Sequence, residues 1–196
     1  IFAGSERTSL LIDAGISGKR VEAGLNSLDR TAKELDGILV THEHIDHVQG
    51  LGVLARRYQI PIYATRGTIR AVMECRNLGK FPEGIFHEIR EDESFTLGDM
   101  EIFPFAISHD AAQPVGYRME HDGHAVAVAT DLGVYDSYIV EHLRGLDAVL
   151  LEANHDEKML EVGSYPYPLK RRIAGAKGHL SNTMAGQLLC EILHDN

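Results

Sequence analysis

The stretch Thr41-His42-Glu43-His44-Ile45-Asp46-His47 sets three imidazoles and Asp46 within positions 42–47. On extended backbone His42 and His44 project to the same side, because side chains alternate with period two, so they can share one metal ion. Asp46 and His47 follow a turn later, where the chain starts to coil, and suit a second ion a short distance away. Neutral imidazole and carboxylate fit zinc, and also manganese or iron. A charged loop with incidental histidines is the bland alternative. A lone histidine would deserve it; His-x-His-x-Asp-His does not.

The flanking residues say what must hold this loop. Gly37-Ile38-Leu39-Val40 is a short apolar run that reads as a buried strand, and residues 48–58 read as a helix. The ligands therefore sit at the carboxyl end of a strand, where open α/β sheets place their sites. Residues 8–13 and 60–64 read as further strands. Helices are expected over 19–28, about 67–75 and 135–143. From 85 to 130 the pattern turns β-rich, with hairpin signals at Gly98-Asp99 and at His121-Asp122-Gly123. Asp147–Leu151 reads as a buried strand. Helices around a β-rich middle predict a sheet-on-sheet core with helices outside.

A two-ion site needs more ligands, and strand ends are where to seek them. His109, in Ile107-Ser108-His109-Asp110-Ala111, is a candidate third ligand for the first ion, with Asp110 as its competitor. Asp131, in Ala129-Thr130-Asp131-Leu132-Gly133, is a candidate bridging carboxylate. His121 and His124 flank a hairpin turn, where a solvated histidine is the plain expectation.

With 196 residues the chain fits a single domain, 1–196, and its 44% hydrophobic content suffices for a core. A formal net charge of -10 argues against a uniformly basic nucleic-acid surface but leaves room for a local basic groove. Two distant cysteines, Cys75 and Cys190, make neither a disulfide framework nor a cysteine zinc site, which fits a cytoplasmic setting. No apolar run reaches membrane-spanning length.

Taken together, Thr-His-x-His-x-Asp-His, Ser-His-Asp-Ala and Ala-Thr-Asp-Leu-Gly, in that order, resemble the metallo-β-lactamase superfamily. The resemblance covers nearly the whole chain and implies an α/β fold, the four-layer αβ/βα sandwich. It implies that His42, His44 and His109 bind one ion, that Asp46 and His47 bind the second, and that Asp131 bridges. It makes Asp13, in Leu-Ile-Asp-Ala-Gly, a buried carboxylate that orients the ligand loop. The sequence is also similar to a bacterial branch, the YycJ/WalJ-like proteins, through residues 10–20, 50–58, 109–117, 151–156, 165–173 and 178–182. That branch implies a cytosolic hydrolase acting as a 5′→3′ DNA exonuclease. It also implies that this chain lacks a first strand and a last strand carrying a terminal histidine ligand; His194 comes too early for that task.

Glu152 ends the strand at 147–151, and His179 precedes Ser181, which reads as the N-cap of a helix containing Leu188, Leu189, Ile192 and Leu193. With Asp46 they complete the expected catalytic set. A carboxylate that orients an imidazole can make it the proton donor to a leaving oxygen, and the related tRNase Z enzymes use a Glu and a Gly-His on matching segments in this way. Structural capping by Glu152 and turn-shaping by His179 is the competing reading, with Asn154 and His155 as nearby alternatives. Lys170-Arg171-Arg172, followed by Lys177, is the densest positive run. Phosphate recognition is its sharp reading and a solvated helix face its bland one; Tyr165 and Tyr167 alongside could stack bases. The expected function is thus two-metal hydrolysis of a phosphodiester such as DNA. A small-molecule hydrolase acting on a cyclic phosphodiester, lactone or thioester, and a non-catalytic scaffold, are the alternatives.

Overall fold

Short runs of aliphatic residues buried on both faces become parallel strands, and this chain places its runs accordingly. The computed structural model describes residues 1–193; His194 lies outside them. Its ten strands form two five-stranded sheets. The chain divides into two compact units, residues 1–104 with 111–114, and residues 105–110 with 115–196.

The first unit begins with β1 (Phe2–Gly4) antiparallel to β2 (Ser9–Ile12). Helix α1 (Gly18–Asn26) leads to β3 (Gly37–Leu39). Every residue of β2 and β3 is buried. Two helices follow, α2 (Ile45–Val48) and α3 (Leu51–Tyr58), then β4 (Ile62–Thr65), α4 (Arg66–Glu74) and β5 (Phe86–Ile89). From β2 to β5 neighbouring strands are parallel, and the sheet order is β1-β2-β3-β4-β5. Its core gathers Leu11, Val21, Ile38, Leu51, Leu54, Ile62 and Val72. Strands β6 (Phe95–Leu97) and β7 (Met100–Ala106) form a hairpin whose turn uses Gly98 at φ 58°. The Asp99 carboxylate there accepts hydrogen bonds from the Ser5 and Thr8 hydroxyls, both at 2.6 Å.

In the second unit β8 (Val115–His121) pairs antiparallel with β9 (His124–Ala129). Asp122 and Gly123 close this hairpin with φ of 48° and 79°, the two positive values that a type I′ turn requires. Helix α5 (Ser137–Leu143), capped by the Asp136 side chain on the Ile139 N–H, returns the chain to β10 (Ala148–Leu151), parallel to β9. Helices α6 (Glu157–Val162), α7 (Tyr167–Ile173) and α8 (Asn182–Ile192) complete it. Ser181 caps α8 by accepting from the Met184 N–H at 3.2 Å, as its place in the sequence suggests. Phe105, Leu132, Ile139, Leu143, Leu180 and Leu188 form the core.

Two expectations need correction. The helix over 48–58 is two helices, with the break at Gln49-Gly50. The Gly50 N–H bonds the Ala14 carbonyl, and a Cβ on Gly50 would collide with the Ile16 carbonyl, so the chain presses against the loop after β2 instead of coiling on. Residues 147–151 are not a buried strand. β10 stands at the end of its sheet, and Ala148 and Leu150 face outward, Leu150 at 48% exposure. No described helix is long and apolar enough to cross a membrane.

Candidate metal centre and active site

In the first unit the ligand loop leaves β3, stays extended through His44, and coils from Ile45 into α2. Thr41 and His42 are buried. His42 Nε2 lies 3.0 Å from His44 Nδ1. Two nitrogens bound to one tetrahedral zinc at ~2.0–2.1 Å would stand ~3.3 Å apart, so this pair is spaced as joint ligands. The His47 ring lies 4.1 Å from that of His42, centroid to centroid. The Asp46 side chain, 78% exposed, is 3.9 Å from His47 Nε2.

Asp13 holds this loop in place. Its Oδ1 accepts from the Thr41 N–H at 2.8 Å, and its Oδ2 takes the Thr41 hydroxyl and His47 Nδ1, each at 2.8 Å. A carboxylate at Nδ1 puts the proton there and the lone pair on Nε2, the tautomer a metal ligand needs. Asp13 does this from a left-handed backbone, φ 58°, at the end of β2. The next residues close on the loop from behind: the Ala14 N–H bonds the His47 carbonyl at 2.7 Å, and a Cβ on Gly15 would collide with the Asp46 carbonyl.

Sequence reasoning gave no task to Thr41, Glu43 or Gly15. The Thr41 hydroxyl, besides its bond to Asp13, lies 3.0 Å from His42 Nδ1. Glu43 Oε1 accepts from the Ala112 N–H at 2.8 Å. The clue for Gly15 was its place just after a strand-ending aspartate.

The second unit carries the other candidates. His109 is buried, with Nδ1 3.1 Å from the Gly178 carbonyl, which again assigns the lone pair to Nε2. Asp131, like Asp13, follows a strand in left-handed backbone, φ 58°. Glu152 joins three segments. Oε1 accepts from the Leu132 N–H at 2.7 Å and the Leu180 N–H at 3.0 Å, while Oε2 lies 3.0 Å from His179 Nδ1. Asp131 Oδ1 is 3.4 Å from the same nitrogen, and the rings of His109 and His179 are 5.3 Å apart. Asp131, Glu152 and His179 can offer ligand atoms all within 4.8 Å of one another. The hydrogen bond to Glu152 raises the His179 pKa above its ordinary value of 6.5, against the opposing pull of burial.

Both donor sets, imidazole with carboxylate, suit a divalent metal ion. The basic run is less uniform than its sequence. Arg172 pairs with Asp110 at 2.5 and 3.2 Å, and Lys170 donates to the Glu161 carbonyl at 2.6 Å. Asp110, the competing ligand of the sequence reading, is thus engaged by Arg172. His124 is exposed beside Asp147 at 3.3 Å, as its hairpin position suggests.

A profile of the β-lactamase superfamily domain matches residues 8–193, and the chain belongs to that superfamily. It has the metallo-β-lactamase fold: a metallo-β-lactamase fold protein, YhfI from Bacillus subtilis, superposes with a TM-score of 0.73 at 20% identity, covering 97% of this chain and 73% of the other. The protein is an enzyme, a metal-dependent hydrolase. Within the superfamily it is similar to the exodeoxyribonuclease YycJ of Bacillus anthracis, 37% identical over the whole chain and 73% of that protein. It is similar as well to the exodeoxyribonuclease WalJ of Streptococcus pneumoniae, 38% identical over 96% of this chain and 70% of the relative.

Proposed function

We propose that the enzyme is a binuclear phosphodiesterase that shortens DNA from a 5′ end in the cytoplasm. The observation that carries this reading is the Glu152 hub. One carboxylate fixes the two backbone amides beside Asp131 and His179 and orients the His179 ring, and its hydrogen bond raises the pKa of that ring above the ordinary value. An imidazole held this way is a proton donor for the poor leaving oxygen of a phosphodiester. The similarity to exodeoxyribonucleases supports the choice of DNA.

Following the family pattern, His42, His44 and His109 would hold one divalent ion, Asp46 and His47 a second, and Asp131 both. Imidazole-rich donors favour zinc, with manganese or iron as substitutes. Bound ions would supply a water acidic near neutral pH and charge stabilisation for the phosphoryl oxygens. The protein's own residues do the rest. Asp13 and Thr41 fix the His47 tautomer, and Glu152 fixes that of His179. His179 Nε2 delivers the proton. Arg172, braced on Asp110, holds α7 against the loop that bears His109. Of the phosphate-binding run Lys170–Arg172, this leaves Arg171 and Lys170 to meet a flanking phosphate.

The test is digestion of 5′-phosphorylated oligonucleotides by zinc- or manganese-loaded protein. Stepwise shortening from the 5′ end, lost in Asp46→Ala and His179→Ala, is expected. Intact DNA alongside hydrolysis of a lactone, thioester or cyclic phosphodiester would replace this reading with a small-molecule hydrolase. No metal uptake and no turnover of any of these would make the fold a scaffold.

A further inference from the structure

A cleft of about 330 Å³ lies between α6 and α7 in the second unit. That is the lower end of the size range of small-ligand sites. It is lined by Leu160, Ala174, Tyr167, Lys170, Arg171 and His155, together with the acids Glu157 and Glu161. Neither the metal ligands nor the His179–Glu152 pair belong to it.

Four observations bear on what it takes. Tyr167 is 72% exposed, far more than a packing role would leave it. The His155 ring lines the cleft, while its Nδ1 is buried with no hydrogen-bond partner. Arg171, unlike its neighbour Arg172, has no ion-pair partner among the described residues. Of the two acids, Glu157 is engaged, accepting from the Ser181 hydroxyl at 2.7 Å. An aromatic face, an apolar slot and an uncommitted guanidinium are complementary to a base followed by its phosphate, and they stand in a chain whose net charge of -10 otherwise repels one.

The cleft also connects to the candidate site. His155 forms a parallel bridge with Ser181, and its carbonyl accepts from the Asn182 N–H at 2.8 Å. Ser181 is two residues from His179. The cleft and the turn that bears His179 are thus joined through one short hydrogen-bonded segment.

Resting on the phosphodiesterase reading, we propose that the α6–α7 cleft is a nucleobase subsite for single-stranded nucleic acid. Tyr167 stacks on a base next to the cleaved linkage, His155 borders that base, and Arg171 binds the phosphate beside it. A base held in a duplex cannot enter.

The experiment measures binding of the zinc-loaded full chain to a fluorescent, phosphorothioate-linked single strand that resists cleavage. A strand of equal length without bases serves as control. The natural strand should bind about tenfold more tightly than the abasic one. Tyr167→Ala should remove that advantage, and Tyr167→Phe should keep it. Arg171→Ala should weaken both strands and flatten the salt dependence by about 0.7 in log–log slope. Equal binding of natural and abasic strands by the parent chain overturns the proposal, as does an unaltered affinity in Tyr167→Ala or a preference for duplex. Hydrolysis of a generic phosphodiester reporter is measured separately. If the reporter is cleaved but the base advantage is absent, the subsite fails alone; if the reporter is untouched, the phosphodiesterase reading fails, and binding still judges the subsite.

Discussion

The two halves of the proposed chemistry are built by opposite means. In the first unit the ligands are neighbours in sequence, His42 to His47 on one loop, and a single aspartate from the preceding strand locks them. In the second unit the groups come from positions 109, 131, 152 and 179, and Glu152 draws three of the segments together. The first arrangement needs a correct local conformation. The second needs the fold to form before any geometry exists. One carboxylate organises each half, Asp13 in one and Glu152 in the other, so removing either should expose the difference.

The largest effect is expected where chemistry and scaffold coincide. His179→Ala should lower turnover by about 10²–10⁴-fold, the usual share of a general acid, while metal content by elemental analysis stays at the parent value. A parallel loss of metal would instead make His179 a ligand and erase the contrast. Asp13→Ala should do the reverse, weakening metal affinity by about 10–100-fold in a chelator competition, because His47 loses the partner that sets its tautomer. A smaller effect is expected at Ser181→Ala, which removes the cap of α8 and should cost about 1 kcal/mol in denaturant unfolding.

The subtlest test is titration. In metal-free protein, NMR should find His179 protonated to a pH above 6.5, and Glu152→Gln should bring its pKa down. The sign for stability follows. A raised folded-state pKa means that the stabilisation is complete below the ordinary value and is lost as pH rises through the raised one. A His179 that titrates identically in the parent and in Glu152→Gln would show that the pair is not coupled.

The same contrast explains what could be read from the residues alone. His42, His44, Asp46 and His47 were legible because their meaning lies in their spacing. Strands β2, β3 and β4 announced themselves as short apolar runs, and the Asp122-Gly123 turn by its residue types. Glu152 and His179 share no spacing; a strand end, a helix N-cap and the resemblance to related enzymes together singled them out as candidates. The break at Gly50 was not legible, because it depends on the carbonyls of Ala14 and Ile16 arriving from another loop. Arg172 looked like one of three equal cations until Asp110, 62 positions earlier, proved to hold it. β10 misled for a related reason: its apolar letters match a central strand, and only the sheet order reveals that one side has no neighbour among the described residues.

That side of β10 has a consequence for what can pair with it. A terminal parallel strand offers a row of amides and carbonyls as a template for any other extended chain, and β10 adds an outward-facing Leu150 with no lysine, proline or bulge to discourage pairing. Among the described residues this margin is where another extended segment could add to the sheet, on a surface that takes no part in the proposed catalysis.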